Sequence, residues 1–237
     1  ARVLFIIGLY TVLLLSARAS YISIFGIIFF IILVFSLRDF KQRKFLLLRQ
    51  KAPLILFLFF SVIVASTIIL GKDNNASITE RITTINTEDT SAGQRLRFYG
   101  HALTQLKNNP LIGVGLGNWK IKSIEYDRLN MSSYVVPYHV HNDFLQIGTE
   151  TGVLGILLYL SIFMYIGLKS FIRSIDIKNK FSFEYMALGL SLMVYFIDAN
   201  LNFPHARLIQ QFYLVIFLSY YVQSERLIKN VVTVQFH

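Results

Sequence analysis

His139 and His141 stand two residues apart in YHVHNDFLQIGTETGVLG, residues 138–155, about a dozen residues before an unbroken apolar run. Imidazole is the side chain whose ordinary pKa lets it gain or lose a proton near neutral pH. A neutral histidine can therefore take the proton of a hydroxyl as that oxygen attacks an electrophile. The H-x-H-x-D spacing also opens some two-metal sites, but these need further ligands from elsewhere. Beyond this pair the chain has only His101, His205 and His237, and no second acid–histidine cluster has ligand spacing. The residues thus point to a base rather than a metal site, and no metal or cofactor is expected. An interfacial histidine hydrogen-bonded to backbone accounts for the position as well.

Such a base needs an electrophile with an anionic leaving group close by. Guanidinium suits that anion, because it stays charged and binds phosphate with two parallel N–H groups. Arg18, in the turn SARAS at 16–20, and Arg95, in QRLRFY, are the candidates. Arg95 lies in the first turn of an expected helix, where the dipole disfavours a cation and an anionic partner would offset it. Arg18 can equally be a turn residue snorkelling to an interface. Asp143 and Glu150 follow His141 closely enough to orient its imidazole. A second polar turn, DANLNFPHAR, carries Asp198, His205 and Arg207. Charges at a helix end are costly in lipid and face protein or water, so Asp198 and Arg207 either line a substrate cavity or pair with each other.

The elements that must position these groups are mostly apolar. Of 237 residues 54% are hydrophobic and 15% charged, against about 25% charged in a soluble domain. The apolar residues fall in blocks at 2–15, 21–37, 53–70, 152–168, 184–200 and 207–222, close to the length that spans a bilayer. This is the pattern of an all-α, polytopic membrane protein with about six transmembrane helices. The start, ARVLFIIGLYTVLLLSARA, superficially looks like a signal peptide, but the second block follows within a few residues and argues for a helical hairpin. With no initiator Met, the chain reads as the C-terminal part of a longer protein. It has no cysteine, which excludes disulfide and thiolate chemistry.

The net charge of +10 has a use that needs no nucleic acid. Residues 38–51 hold six Lys/Arg and one acid, 169–183 hold four and one, and 224–237 hold two and one, whereas 71–151 hold eight of each. The positive-inside rule puts the basic connections in the cytoplasm and the long segment outside it. The expected domains are three helices in 1–70, a loop domain over 71–151, three helices in 152–223 and a cytoplasmic tail over 224–237. Arg18, Asp198, His205 and Arg207 then share one face with the loop.

That loop has helix signals. SITE at 77–80 and SAGQ at 91–94 have capping-box spacing. The next segment predicts a helix over 92–108, with Leu96, Tyr99, Leu103 and Leu106 as its apolar stripe and Pro110 as its stop. Gly113, Gly115 and Gly117 in PLIGVGLGNW mark tight backbone. This is either an approach to a phosphate or a turn joining two elements; without a βαβ unit it is no dinucleotide fingerprint.

Taken together, an apolar helix ending in SARA, then QRLRFY, then ALTQLKNNPLIGVGLGN, then HNDFLQIGTETGVLG and a helix resemble the O-antigen ligase and polymerase superfamily of bacterial envelope glycosyltransferases. The resemblance covers roughly residues 10–170. It implies a multi-pass protein of the bacterial inner membrane with a helical periplasmic loop. It also implies transfer of a glycan from an undecaprenyl-diphosphate carrier to an acceptor hydroxyl, on lipid A–core for a ligase or on another glycan for a polymerase, with no nucleotide sugar or metal required. Arg18 and Arg95 match the arginines that hold the diphosphate, and His141 the histidine that activates the acceptor. Tyr99 matches the aromatic four residues after Arg95, and Arg97 is the rival to Arg95. Asn142 belongs to the same HN motif, and Gly152 and Gly155 match the glycines that open the next helix. Protein O-glycosylation is a further alternative, and a lipid-linked-glycan transporter is the reading from another class. A transporter would carry broken or polar helices at mid-membrane, while here the block centres are apolar.

Overall fold

The computed structural model describes residues 18–42, 91–131 and 137–235, with side chains placed over 22–42, 93–131 and 137–226. These residues form α1 (Arg18–Gln42), α2 (Ser91–Asn108), α3 (Trp119–Asp127), α4 (Asp143–Ile175), α5 (Ser182–Leu201), a 3-10 turn (Pro204–Ala206) and α6 (Leu208–Gln235). No strand occurs among them. Two helices, over Ile22–Gln42 and Asp143–Ile175, are long and apolar enough to cross a membrane. They cover the expected block 21–37 from Ile22 onward and the whole of block 152–168. Blocks 184–200 and 207–222 fall in α5 and α6, while blocks 2–15 and 53–70, the SITE segment and the side chain of Arg18 lie outside the described residues.

The chain divides into two compact units. One comprises 1–77, 166–197 and 214–237; the other comprises 78–165 and 198–213. In the first, small residues admit close neighbours. A side-chain carbon on Gly26 would lie 3.1 Å from Ile197, and one on Gly189 would lie 3.1 Å from the Phe30 ring. Close approach over small residues is how helices pack where lipid removes the hydrophobic drive between them. The polar groups of this unit collect at one end. Arg38 is buried, donates from Nε to the Ser174 carbonyl at 2.7 Å and lies over the Phe183 ring at 4.9 Å. Glu225 accepts from the Tyr185 hydroxyl at 2.7 Å and from Lys169 Nζ at 3.3 Å. Residues of all three basic segments thus meet at the same end.

The second unit packs around Ala102, Trp119 and Val140, with Tyr99 and Leu145 against them. Helix α2 runs over Ser91–Asn108, within one residue of its expected start, and stops before Pro110. Its buried face differs from the expected stripe. Tyr99 and Ala102 face the core, while Leu96 and Leu103 are 68% and 45% exposed. Ala102, small enough for close approach, packs in one cluster with Trp119 and Val140, and the two leucines lie off that face.

The largest departure from expectation is in α4. A helix opening at Gly152 was anticipated, yet helical structure already begins at Asp143 and breaks at Gly152, with φ 76° and ψ −173°. That conformation is open to glycine and strained for any other residue. The glycine-rich turn at 110–118 fits against the break. Val114 N donates to Thr149 O and Gly115 N to Glu150 O, both at 2.9 Å, and Val153 N donates to Pro110 O at 2.7 Å. The last carbonyls of one helical segment and the first free N–H of the next are both satisfied. The glycines allow backbone to touch backbone. A Cβ on Gly152 would sit 2.3 Å from Leu111 O, and one on Gly113 would sit 2.4 Å from the Glu150 carbonyl carbon.

Gly152→Ala should therefore lower the thermal midpoint of the detergent-solubilised protein by several degrees, the scale of a loss of ~1–3 kcal/mol. Gly100→Ala is the control. Gly100 is helical, exposed and has nothing within 4 Å of an added Cβ, so the same substitution there should leave the midpoint unchanged or raise it.

Candidate functional site

The second unit positions the chemical groups. Helix α3 is tied to α2 by Arg97, whose Nε and Nη2 donate to the two carboxylate oxygens of Asp127 at 2.7 and 3.3 Å. The Tyr126 hydroxyl donates to Gln105 Oε1 at 3.0 Å. Arg97 is thereby committed to the frame. Arg95, one turn-face away, is half-buried and forms no ion pair among the described residues.

Residues 137–142 lead into α4 without regular structure. Val140 is fully buried, and its N–H donates to Gln146 Oε1 at 3.2 Å. His139 and His141 flank it. His141 has φ 62°, the one positive φ outside glycine among the described residues. Such a backbone costs of the order of 1–3 kcal/mol and persists only where neighbours hold it. The Tyr99 hydroxyl, donating to the His141 carbonyl at 3.0 Å, is one such neighbour. Asn142 is another: its Oδ1 accepts from Leu145 N at 3.1 Å, capping α4, and its Nδ2 donates to Asn200 O at 3.3 Å.

The turn at 202–207 closes the site around Phe203. The His139 ring stacks on Phe203 at 4.2 Å, the His141 ring meets its edge at 5.1 Å, and the Arg207 guanidinium lies over it at 4.5 Å. His141 also stacks near Phe98 at 6.4 Å. Burial pushes the His141 imidazole below its ordinary pKa of 6.5, and Arg95, His139 and Arg207 push it the same way. Burial likewise lowers His139, with Gln146 opposing. It raises the Tyr99 phenol, with Arg95 opposing. His141 is therefore neutral at pH 7. Its Nδ1 is buried without a partner among the described residues.

Asp143 and Glu150 do not orient His141. Asp143 is fully buried and holds His205: Oδ1 lies 2.5 Å from Nδ1 of the ring, and Oδ2 accepts the His205 backbone N–H at 3.0 Å. The Tyr159 hydroxyl donates to the same carboxylate at 3.4 Å. Glu150 Oε2 accepts from Gly117 N at 2.9 Å. At the first turn of α4 the Asp143 side chain projects to the 202–207 turn rather than to His141. Asp198 and Arg207 do not pair with each other. Asp198 accepts from Asn202 Nδ2 at 2.6 Å, and Arg207 lies over Phe203. The glycine-rich turn touches protein backbone at each of these contacts, so its tight geometry belongs to the α4 break. Sequence reasoning missed Phe203 and the pairing of His205. The polar turn FPHAR marked the segment, but nothing local shows a contact spanning 62 residues. No group of three His, Asp or Glu side chains converges as a metal-holding cluster among the described residues.

Two helices of membrane-spanning length and a polar unit in which two imidazoles meet one phenylalanine define the class: an all-helical protein with apolar helices and a histidine-bearing polar unit. A comparison with protein families is specific: the O-antigen ligase (Wzy_C) model matches residues 3–160, about two thirds of the chain. The chain belongs to the O-antigen ligase family. This is a family of membrane proteins whose activity is glycosyl transfer of the O-antigen ligase or polymerase type, on lipid-linked glycans. A comparison with curated proteins finds no match.

The lowered imidazoles set a pH dependence for the fold. His101, also lowered by burial, acts with His139 and His141. Between the lowered folded values and about 6.5 the unfolded chain binds more protons, so stability rises with pH in that window. It is complete above about pH 6.5 and is lost on acidification below it. Thermal unfolding of the solubilised protein from pH 8 to pH 5 should show this fall, and His141→Asn, which tolerates positive φ, should make it shallower.

Proposed function

We propose that this protein moves a glycan from an undecaprenyl-diphosphate carrier to an acceptor hydroxyl, ligase-like, with lipid A–core as the acceptor. The observation that carries this reading is the setting of His141: strained backbone, a ring edge-on to Phe203 and the Arg207 guanidinium over that same phenyl ring, with burial and Arg95 favouring the neutral imidazole. A base beside cations suits a reaction in which a hydroxyl loses a proton while a diphosphate gains charge. The acceptor oxygen attacks the anomeric carbon as its proton passes to His141 Nε2. The new C–O bond forms as the bond from the anomeric carbon to the phosphate oxygen breaks, and the diphosphate leaves with the electron pair. Arg95 and Arg18 stabilise that charge, an effect strongest where water is excluded. One base and a single displacement invert the anomeric configuration. His141 then returns its proton to water.

Arg95 is preferred to Arg97 because the ion pair with Asp127 occupies Arg97. Tyr99 and Asn142 hold the His141 backbone and the start of α4, and Glu150 braces the glycine-rich turn. Asp198 fixes the end of α5, and Arg207 adds a further cation on the Phe203 side. Six transmembrane helices, with 71–151 in the periplasm and the basic segments in the cytoplasm of a bacterial inner membrane, agree with the gathering of Arg38, Lys169, Arg173 and Glu225 at one end of their unit.

The test is transfer of glycan from a lipid-diphosphate donor to lipid A–core, using the full-length protein in membranes. His141→Ala should lose about 10²–10⁴ of the rate, the usual worth of a positioned base. Arg95→Ala and Arg18→Ala should each lower it strongly with expression intact. Full activity in His141→Ala would remove the mechanism. Elongation of the lipid-linked glycan without transfer to lipid A–core would make the protein a polymerase, and transfer to a secreted protein would make it a protein O-oligosaccharyltransferase.

A further inference from the structure

Between Glu150 and Lys169 the chain carries no charged residue, so the break of α4 at Gly152 is also a polarity boundary. Before it, Asp143, Gln146, Thr149 and Glu150 are polar and buried. After it, Leu154, Leu157 and Leu158 are exposed, at spacings that put them on one helix face. In a helix long enough to cross a membrane such a face meets acyl chains. The glycine-rich turn reaches this boundary from the side. Val153 N donates to Pro110 O at 2.7 Å, and Leu111 O would lie 2.3 Å from a Cβ on Gly152. The backbone of the turn is therefore level with the first residues of the apolar run.

At that level the turn presents apolar side chains to the outside. Leu111, Ile112 and Leu116 are 79%, 80% and 78% exposed. No charged residue occurs from Asn108 to Trp119, whereas the exposed Lys107 and Lys120 stand just before and just after this stretch. An apolar tip between amines is the composition of a segment that lies at the boundary of lipid headgroups and acyl chains. Lysine stems can run along the apolar surface there while their amines meet lipid phosphate. A protein partner would favour aromatic and arginine anchors in such a patch, and residues 110–118 contain neither. We propose that the 110–118 turn is a bilayer contact: Leu111, Ile112 and Leu116 enter the surface of the membrane that α4 crosses. Through its bonds to the α4 break, the turn then sets the height of the polar unit over the lipid. This contact goes beyond the transfer reading above and does not rest on it.

The test uses the full-length protein, in a cysteine-free background, in nanodiscs of phosphatidylcholine and phosphatidylglycerol. Ile112→Cys carries a nitrobenzoxadiazole label. Leu157→Cys, on the exposed face of α4, is the lipid reference, and the free label–cysteine adduct in buffer is the water reference. The label at Ile112→Cys should emit to the blue of the free adduct and be quenched several-fold less by iodide. A lipid nitroxide near the headgroup end of the acyl chain should quench it about as well as the label at Leu157→Cys, as expected for a depth of about 5–10 Å. Iodide quenching equal to that of the free adduct would overturn the contact by placing the turn in water. Protection from iodide and from the lipid nitroxide alike would also overturn it, because protein would then cover the turn. Leu116→Cys gives the same readings at a second site should Ile112→Cys fail to fold. The quenching is read without any transfer assay, so a protein inactive in transfer would defeat the transfer reading and leave the bilayer contact standing.

Discussion

The break of α4 at Gly152 is the constraint on which the polar unit depends. An unbroken helix from Asp143 to Ile175 would leave the 110–118 turn with no carbonyls to cap and no groove to enter. The break exposes the carbonyls of Thr149 and Glu150 and the N–H of Val153, and the turn takes all three. Each bond contributes only about 1 kcal/mol net, but an unmade one in a buried place costs more. The contact also fixes where the short segment 143–151 points. Asp143, Gln146 and Glu150 lie on that segment, and each bonds a different part of the unit: the 202–207 turn, Val140 and Gly117. A glycine with φ 76° thus determines the placement of three polar side chains.

Two imidazoles in one unit have opposite surroundings. His141 has arginines for neighbours, and its charged form is disfavoured twice, by burial and by repulsion. His205 has a buried carboxylate on Nδ1. His139, stacked on Phe203 and edge-on to His205 at 6.5 Å, stands between them. The Phe203 ring meets both His139 and His141.

The first unit follows a different logic. Its helices meet over glycines, and its charges sit at one end, partly buried and bonded to one another. Arg38 against Ser174 O and Glu225 among Tyr185, Lys169 and Arg173 join helices that are far apart in sequence. Charges confined to an end leave the middle of each helix apolar, as a bilayer requires.

Much of this was legible in the sequence because it is local. Apolar blocks, the capping signal and Pro110 bound α2 to within a residue, since helix starts and stops are set by the residues beside them. The spacing in HND, QRLRFY and the glycine run identified the family, since a motif survives in one dimension. The tertiary structure alone decided which partner each polar group took. Asp143 lies two residues from His141 but bonds His205, because the 202–207 turn packs at the start of α4 and brings that ring to the carboxylate. The glycines of 110–118 mark tight backbone in sequence; only folding reveals that the tightness serves another backbone. Leu96 and Leu103 fit a helical stripe by period, yet Trp119 claims the neighbouring face at Ala102. Period and motif belong to the chain as written, whereas pairing across 62 residues, volume and exclusion exist only once the chain has closed on itself.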